Sequence, residues 1–114
     1  MDNCLFCKIV NGDIPASIVY QDDRVVAFND INPQAPTHVL IVPRKHIPSL
    51  DEMTEADSAI VGNTLLKAAQ IARDLQLTSD GYRIVVNTGE AAGQTVFHIH
   101  FHILGGRNFG WPPG

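Results

Sequence analysis

Near the C-terminus, His98, His100 and His102 occupy alternate positions of Val96-Phe97-His98-Ile99-His100-Phe101-His102-Ile103-Leu104, and three of the five histidines in the chain fall there. Alternate side chains of an extended strand share a face. The spacing predicts three imidazoles on one side, with Phe97, Ile99, Phe101 and Ile103 packed against a core on the other. Same-face neighbours stand roughly 7 Å apart, so adjacent rings can act on one small group. Two chemistries fit such a row. Three imidazoles can hold a catalytic zinc with an open position, or they can work without metal, one as nucleophile and another as proton donor, because neutral imidazole titrates near working pH.

Several elements must position that row. Residues 82–87 read as a strand ending at Asn87, followed by the loop 88–95, whose Gly89 and Gly93 let backbone N–H groups approach an anion. Thr37-His38-Val39-Leu40-Ile41-Val42 is rich in β-branched residues and predicts a central strand ended by Pro43. Residues 14–20 and 25–29 predict a hairpin reversing at Gln21-Asp22-Asp23, and residues 30–36, with Pro33 and Pro36, predict a loop. From Thr54 the period becomes helical. Thr54 and Asp57 resemble a capping box, and Ile60, Val61, Leu65, Ala68, Ala69, Ala72 and Leu75 mark the buried stripe of a long helix ending near Gln76. Residues 4–10 predict a short helix stopped by Asn11-Gly12.

With 114 residues, 45% of them apolar, the chain can build one core and predicts one domain over residues 1–114. A net charge of −4 argues against a nucleic-acid scaffold, which carries a basic patch or stripe. No apolar run reaches membrane-span length and the first residues do not resemble a signal peptide, so the expected location is cytoplasmic. In a reducing compartment, the spacing of Cys4 and Cys7 suggests metal or redox chemistry more than a structural disulfide. The βαβ context of a redox motif is missing.

His98-Ile99-His100-Phe101-His102-Ile103-Leu104 resembles the signature of the histidine-triad (HIT) family, in which three histidines alternate with apolar residues and two more apolar residues follow. Asp22-Asp23-Arg24, Phe28-Asn29-Asp30-Ile31, Pro33-Gln34-Ala35-Pro36-Thr37-His38, Gly81-Tyr82-Arg83, Val86-Asn87, Gly93-Gln94, Gly105-Gly106-Arg107 and Trp111-Pro112-Pro113-Gly114 resemble its Hint branch, so the likeness spans essentially the whole chain. It implies an α+β, HIT-like fold: a five-stranded antiparallel sheet with a long central helix and a short N-terminal helix, dimerising into a continuous sheet. The implied activity is that of a purine nucleoside phosphoramidase, a hydrolase that cleaves the P–N bond of AMP- or GMP-amines through a nucleotidyl-histidine intermediate.

By the same resemblance His100 is the nucleophile, His102 contacts the phosphate, His98 orients the array and His38 stands in a relay behind it. Asp30 would bind the ribose hydroxyls. Asn87, Gly93 and Thr95 would surround the phosphate and leaving group. Leu5 or Phe6, with Ile9, Ile14, Phe28 and Ile31, would form the base slot, and Trp111 also belongs to the implied substrate site. Cys4 and Cys7 with His46 and His98 would hold a structural Cys₂His₂ zinc, and the chemistry itself needs no metal. Thr95 stands where the branch commonly has serine, adding a methyl beside the leaving group. The rival functions are a dinucleoside polyphosphate hydrolase of the same fold, a nonenzymatic nucleotide-binding regulator, and a His₃ zinc hydrolase.

Overall fold

The computed structural model describes residues 3–114. Its first hairpin joins β1 (Ile18–Gln21) to β2 (Val25–Asn29). Asp22 closes the turn, one carboxylate oxygen accepting the N–H groups of Arg24 and Val25 at 2.8 and 2.9 Å while the other accepts the Tyr20 hydroxyl at 2.7 Å. The chain continues through β3 (Thr37–Pro43), the helix α2 (Ser58–Asp74), β4 (Tyr82–Val85) and β5 (Phe101–Gly105), after an N-terminal helix α1 (Leu5–Val10). The five strands form one sheet in the order β1-β2-β3-β5-β4, every pair antiparallel. Among the described residues no helix is long and apolar enough to cross a membrane.

Period-two alternation gives the sheet two apolar faces. Val25, Ala27, Val39, Ile41, Phe101 and Ile103 pack beneath α2, against Val61, Ala68, Ile71 and Ala72. On the opposite face Val26, Phe28, Leu40 and Val42 pack against Phe6 of α1. The capping box of Thr54 and Asp57 is present, but its first turn, Glu55–Asp57, is a 3-10 turn, and α2 starts at Ser58. The buried stripe also differs from the one expected. Leu65 and Leu75 are exposed, whereas Thr64 is fully buried, its hydroxyl donating to the Ile60 carbonyl at 2.8 Å. A threonine that satisfies its own hydroxyl within the helix can enter a core, so the stripe runs through residue 64 rather than residue 65.

The histidine row is not one continuous strand. β5 begins only at Phe101, paired with Ile41. Extending the ladder would set Ile99 against Pro43, which has no N–H to donate. Instead the Ile99 N–H donates to the Ile47 carbonyl at 2.6 Å. Ile99, Phe101 and Ile103 reach the core as expected, but Phe97, beyond this break, is 51% exposed.

Candidate active site and thiol–imidazole cluster

Two backbone groups settle the proton positions of the catalytic candidates. The Gln34 N–H donates to His38 Nδ1 at 2.9 Å, so the proton of neutral His38 sits on Nε2. His38 Nε2 lies 2.9 Å from His102 Nδ1, which must then accept, leaving the His102 proton on Nε2. Independently, His100 Nδ1 donates to the His98 carbonyl at 2.8 Å, so His100 Nε2 carries a lone pair. The rings of His100 and His102 are 5.2 Å apart between centroids. One offers a nucleophilic nitrogen and its neighbour an N–H donor. Burial lowers the pKa of His38 and His100 and takes that of His102 down to about 4, so all three are neutral at pH 7. The Asp30 carboxylate, 3.4 Å from His38 Nε2, works against that shift.

His100 and His102 open onto a cavity of about 420 Å³. Its apolar wall brings together Leu5, Phe6, Ile9, Ile14, Phe28 and Ile31, and Asp30 and Thr95 stand at it as well. Pro15, Ala16, Ser17, Asn29, Leu40 and Val96 line it too. Pro15, Ala16, Leu40 and Val96 carry no chemical signature in the sequence, and the Asn29 amide donates to the Ser17 hydroxyl at 2.9 Å. Asn87, Gly93 and Trp111 are not among the lining residues. Asn87 Nδ2 lies 3.9 Å from where a Cβ on Gly93 would stand, so those two neighbour each other, and Trp111 is 84% exposed.

The loop before the triad is held by Gln94. Gln94 is buried, accepts the Gly89 N–H at 2.9 Å and donates to the carbonyls of Pro48 and Val96 at 2.8 and 3.2 Å. Gly93 caps the Glu90–Ala92 turn in the left-handed region at φ 97°, which glycine adopts without a Cβ penalty. Together they set the path of Thr95 into the cavity wall.

His98, like His100, packs its ring edge-on to Phe6 of α1, but it does not line the cavity. Its ring is fully buried, with Nε2 donating to the Pro43 carbonyl at 2.7 Å, which leaves the Nδ1 lone pair facing the sulfurs of Cys4 and Cys7, each 3.5 Å away. His46 Nδ1 lies 3.3 Å from Cys7 Sγ. The four ligand atoms lie within 4.8 Å of one another, a set able to hold a metal ion. Among the described residues the three triad imidazoles form no such set, while Asp30, His38 and His102 form a second one. Without metal, burial and the neighbouring Cys4 push the Cys7 thiol up to about 11, and burial drives His98 down to about 4.

A family model described as the HIT domain matches residues 11–109. The chain belongs to the HIT family. It is 53% identical over 113 residues to an uncharacterized HIT-like protein of Synechocystis, an alignment covering 99% of this chain and 98% of that one. Its fold superposes on a HIT family hydrolase of Legionella pneumophila with a TM-score of 0.96 at 50% identity, covering 98% and 100% of the two chains. A histidine triad nucleotide-binding protein of Candida albicans matches with a TM-score of 0.82 at 31% identity, covering 98% of this HIT chain and 85% of that one.

Proposed function

We propose that this HIT protein is a purine nucleoside phosphoramidase of the Hint type, hydrolysing the P–N bond of nucleoside 5′-phosphoramidates. The observation that carries the reading is the fixed pair of proton states, a free His100 Nε2 beside a protonated His102 Nε2, on one wall of a cavity whose other walls are apolar. The apolar wall receives the purine and Asp30 the ribose hydroxyls. Asn87 and Gly93 flank the phosphate, with Thr95 toward the leaving group and Trp111 completing the substrate site.

His100 Nε2 attacks the α-phosphorus, a P–N bond to His100 forms and the bond to the amine breaks. The departing nitrogen takes the His102 Nε2 proton, which solvent replaces. Water then attacks the nucleotidyl-His100, one of its protons passing to solvent as the P–O bond forms and the P–N bond to His100 breaks, which releases the nucleoside monophosphate and the free imidazole. The N–H groups of residues 88–95 stabilise charge on the phosphoryl oxygens. His38 keeps His102 in the productive tautomer, and His98 orients His100 through its carbonyl rather than its ring.

The Cys4, Cys7, His46 and His98 set suits a structural zinc. Zinc–sulfur and zinc–nitrogen bonds of about 2.3 and 2.0 Å at a tetrahedral angle separate S from N by roughly 3.5 Å; both sulfurs lie 3.5 Å from His98 Nδ1 and Cys7 Sγ lies 3.3 Å from His46 Nδ1. Zinc there supplies a cross-link between the N-terminal turn and the triad, and takes no part in phosphorus chemistry. Such thiols belong in a reducing cytoplasm. The protein acts as a homodimer, and the open edge of β4 together with exposed Leu65 and Leu66 on α2 offers the surface for a continuous sheet.

Incubation with a fluorogenic adenosine phosphoramidate, fast quenching and peptide mapping test the reading. AMP attached to His100 and turnover well above that of a diadenosine polyphosphate are expected. No labelling and no turnover would defeat it, and a preference for the polyphosphate would move it to the dinucleoside polyphosphate hydrolases.

A further inference from the structure

Helix α1 has only six residues, too few to be stable alone, so its position depends on what restrains it. Arg44 pins the far end, Nη1 donating to the Val10 carbonyl at 3.0 Å. At the near end Cys4 accepts the Cys7 N–H at 3.3 Å, and both thiols close on His98. The same short helix supplies Leu5, Phe6 and Ile9 to the cavity wall. Phe6 lies between the two cysteines, buried, with its ring edge-on to His100 at 4.9 Å and 86°. It also meets Phe28 at 5.4 Å and His98 at 6.2 Å. A second link runs through the backbone, because the residue whose ring faces the thiols also holds the His100 Nδ1 proton on its carbonyl.

We infer that Phe6 couples the Cys4–Cys7–His46–His98 cluster to the cavity, so that metal loading of the cluster strengthens nucleotide binding and nucleotide strengthens metal binding. This rests on the nucleotide reading proposed above. Filling the cluster fixes the near end of α1, which fixes the Phe6 ring against His100 and completes the apolar wall. An emptied cluster frees that end, and the wall must be ordered again when a nucleotide enters. Linkage requires the two effects to be equal.

The test measures AMP affinity calorimetrically in zinc-loaded and chelator-stripped protein, and zinc affinity by chelator competition with and without saturating AMP. Zinc is expected to tighten AMP binding about tenfold, and AMP to tighten zinc by the same factor. In Phe6→Leu, which keeps an apolar side chain but removes the ring edge, one metal still binds and the factor falls below about twofold. Cobalt(II)-substituted protein gives a second readout that needs no stable metal-free state. Its thiolate charge-transfer band moves on AMP addition in the wild type and stays fixed in Phe6→Leu. Equal AMP affinity with and without metal, a cobalt spectrum indifferent to AMP, or coupling that survives in Phe6→Leu overturns the inference and leaves the nucleotide reading standing. Absence of AMP binding in both metal states removes that reading and the inference together.

Discussion

His98 and His100 are two residues apart, yet their rings face different regions. The His98 ring is enclosed by two thiols, a second imidazole and the Pro43 carbonyl, while the His100 ring lines an open cavity. The same physics prepares both. In each ring a backbone carbonyl takes one N–H, which forces the other nitrogen to present a lone pair, and burial keeps the ring uncharged. What differs is the atom left free and the ring's surroundings: Nδ1 toward two sulfurs suits a metal ion, whereas a free Nε2 on a ring that lines the cavity suits an electrophile. The roles of these two rings are therefore set by which nitrogen the carbonyl takes.

Substitutions can separate the two regions. The largest effect is expected from His100→Ala, which should lower phosphoramidate turnover by about four to six orders of magnitude while metal content, measured by atomic emission, stays at the wild-type level. Loss of metal in that variant would show that the regions are not separable. Cys7→Ser should do the reverse in stability terms. At free zinc about a thousandfold above its Kd, the metal adds about 4 kcal/mol, so a urea titration of wild-type protein should show that gain and the variant should lack it.

A pH series sharpens the contrast from the catalytic side. The His102 pKa is depressed by burial to about 4, against about 6.5 in the unfolded chain. As pH falls from about 6.5 toward 4, the unfolded state takes up a proton that the native state refuses, and stability falls. Above about 6.5 this contribution is complete and flat. His102→Asn should reduce the slope in that window by up to about 1.4 kcal/mol per pH unit, measured by denaturant titration at each pH. Thr95→Ser should have the smallest effect, leaving metal content and stability within about 0.5 kcal/mol and changing only the ranking of amine leaving groups in competition assays. A uniform change across amines would place Thr95 away from the departing nitrogen.

Much of the fold was legible because its signals are local. The alternation in residues 37–42, the Asp22 turn and the Thr54–Asp57 cap each act over a few residues, and the strands and helices stand close to where those patterns put them. The helical stripe runs through residue 64 and not 65 because a threonine hydroxyl bonded back to its own helix is buried at no polar cost, which polarity scales do not register. Gln94 carries no sequence signal as a structural clamp because its partners, the Gly89 N–H and the Pro48 and Val96 carbonyls, are backbone groups that every sequence contains.

By itself the sequence determined that three histidines alternate before a core strand, that a Cys-x-x-Cys turn opens the chain, and that the family resemblance covers both. Only the tertiary structure decided that the paired strand begins at Phe101, and that the Gln34 amide and the His98 carbonyl assign the protons of His38, His102 and His100. The reason is physical: residue type sets what an imidazole can do, but its tautomer and direction follow from hydrogen-bond partners brought to it by distant parts of the chain.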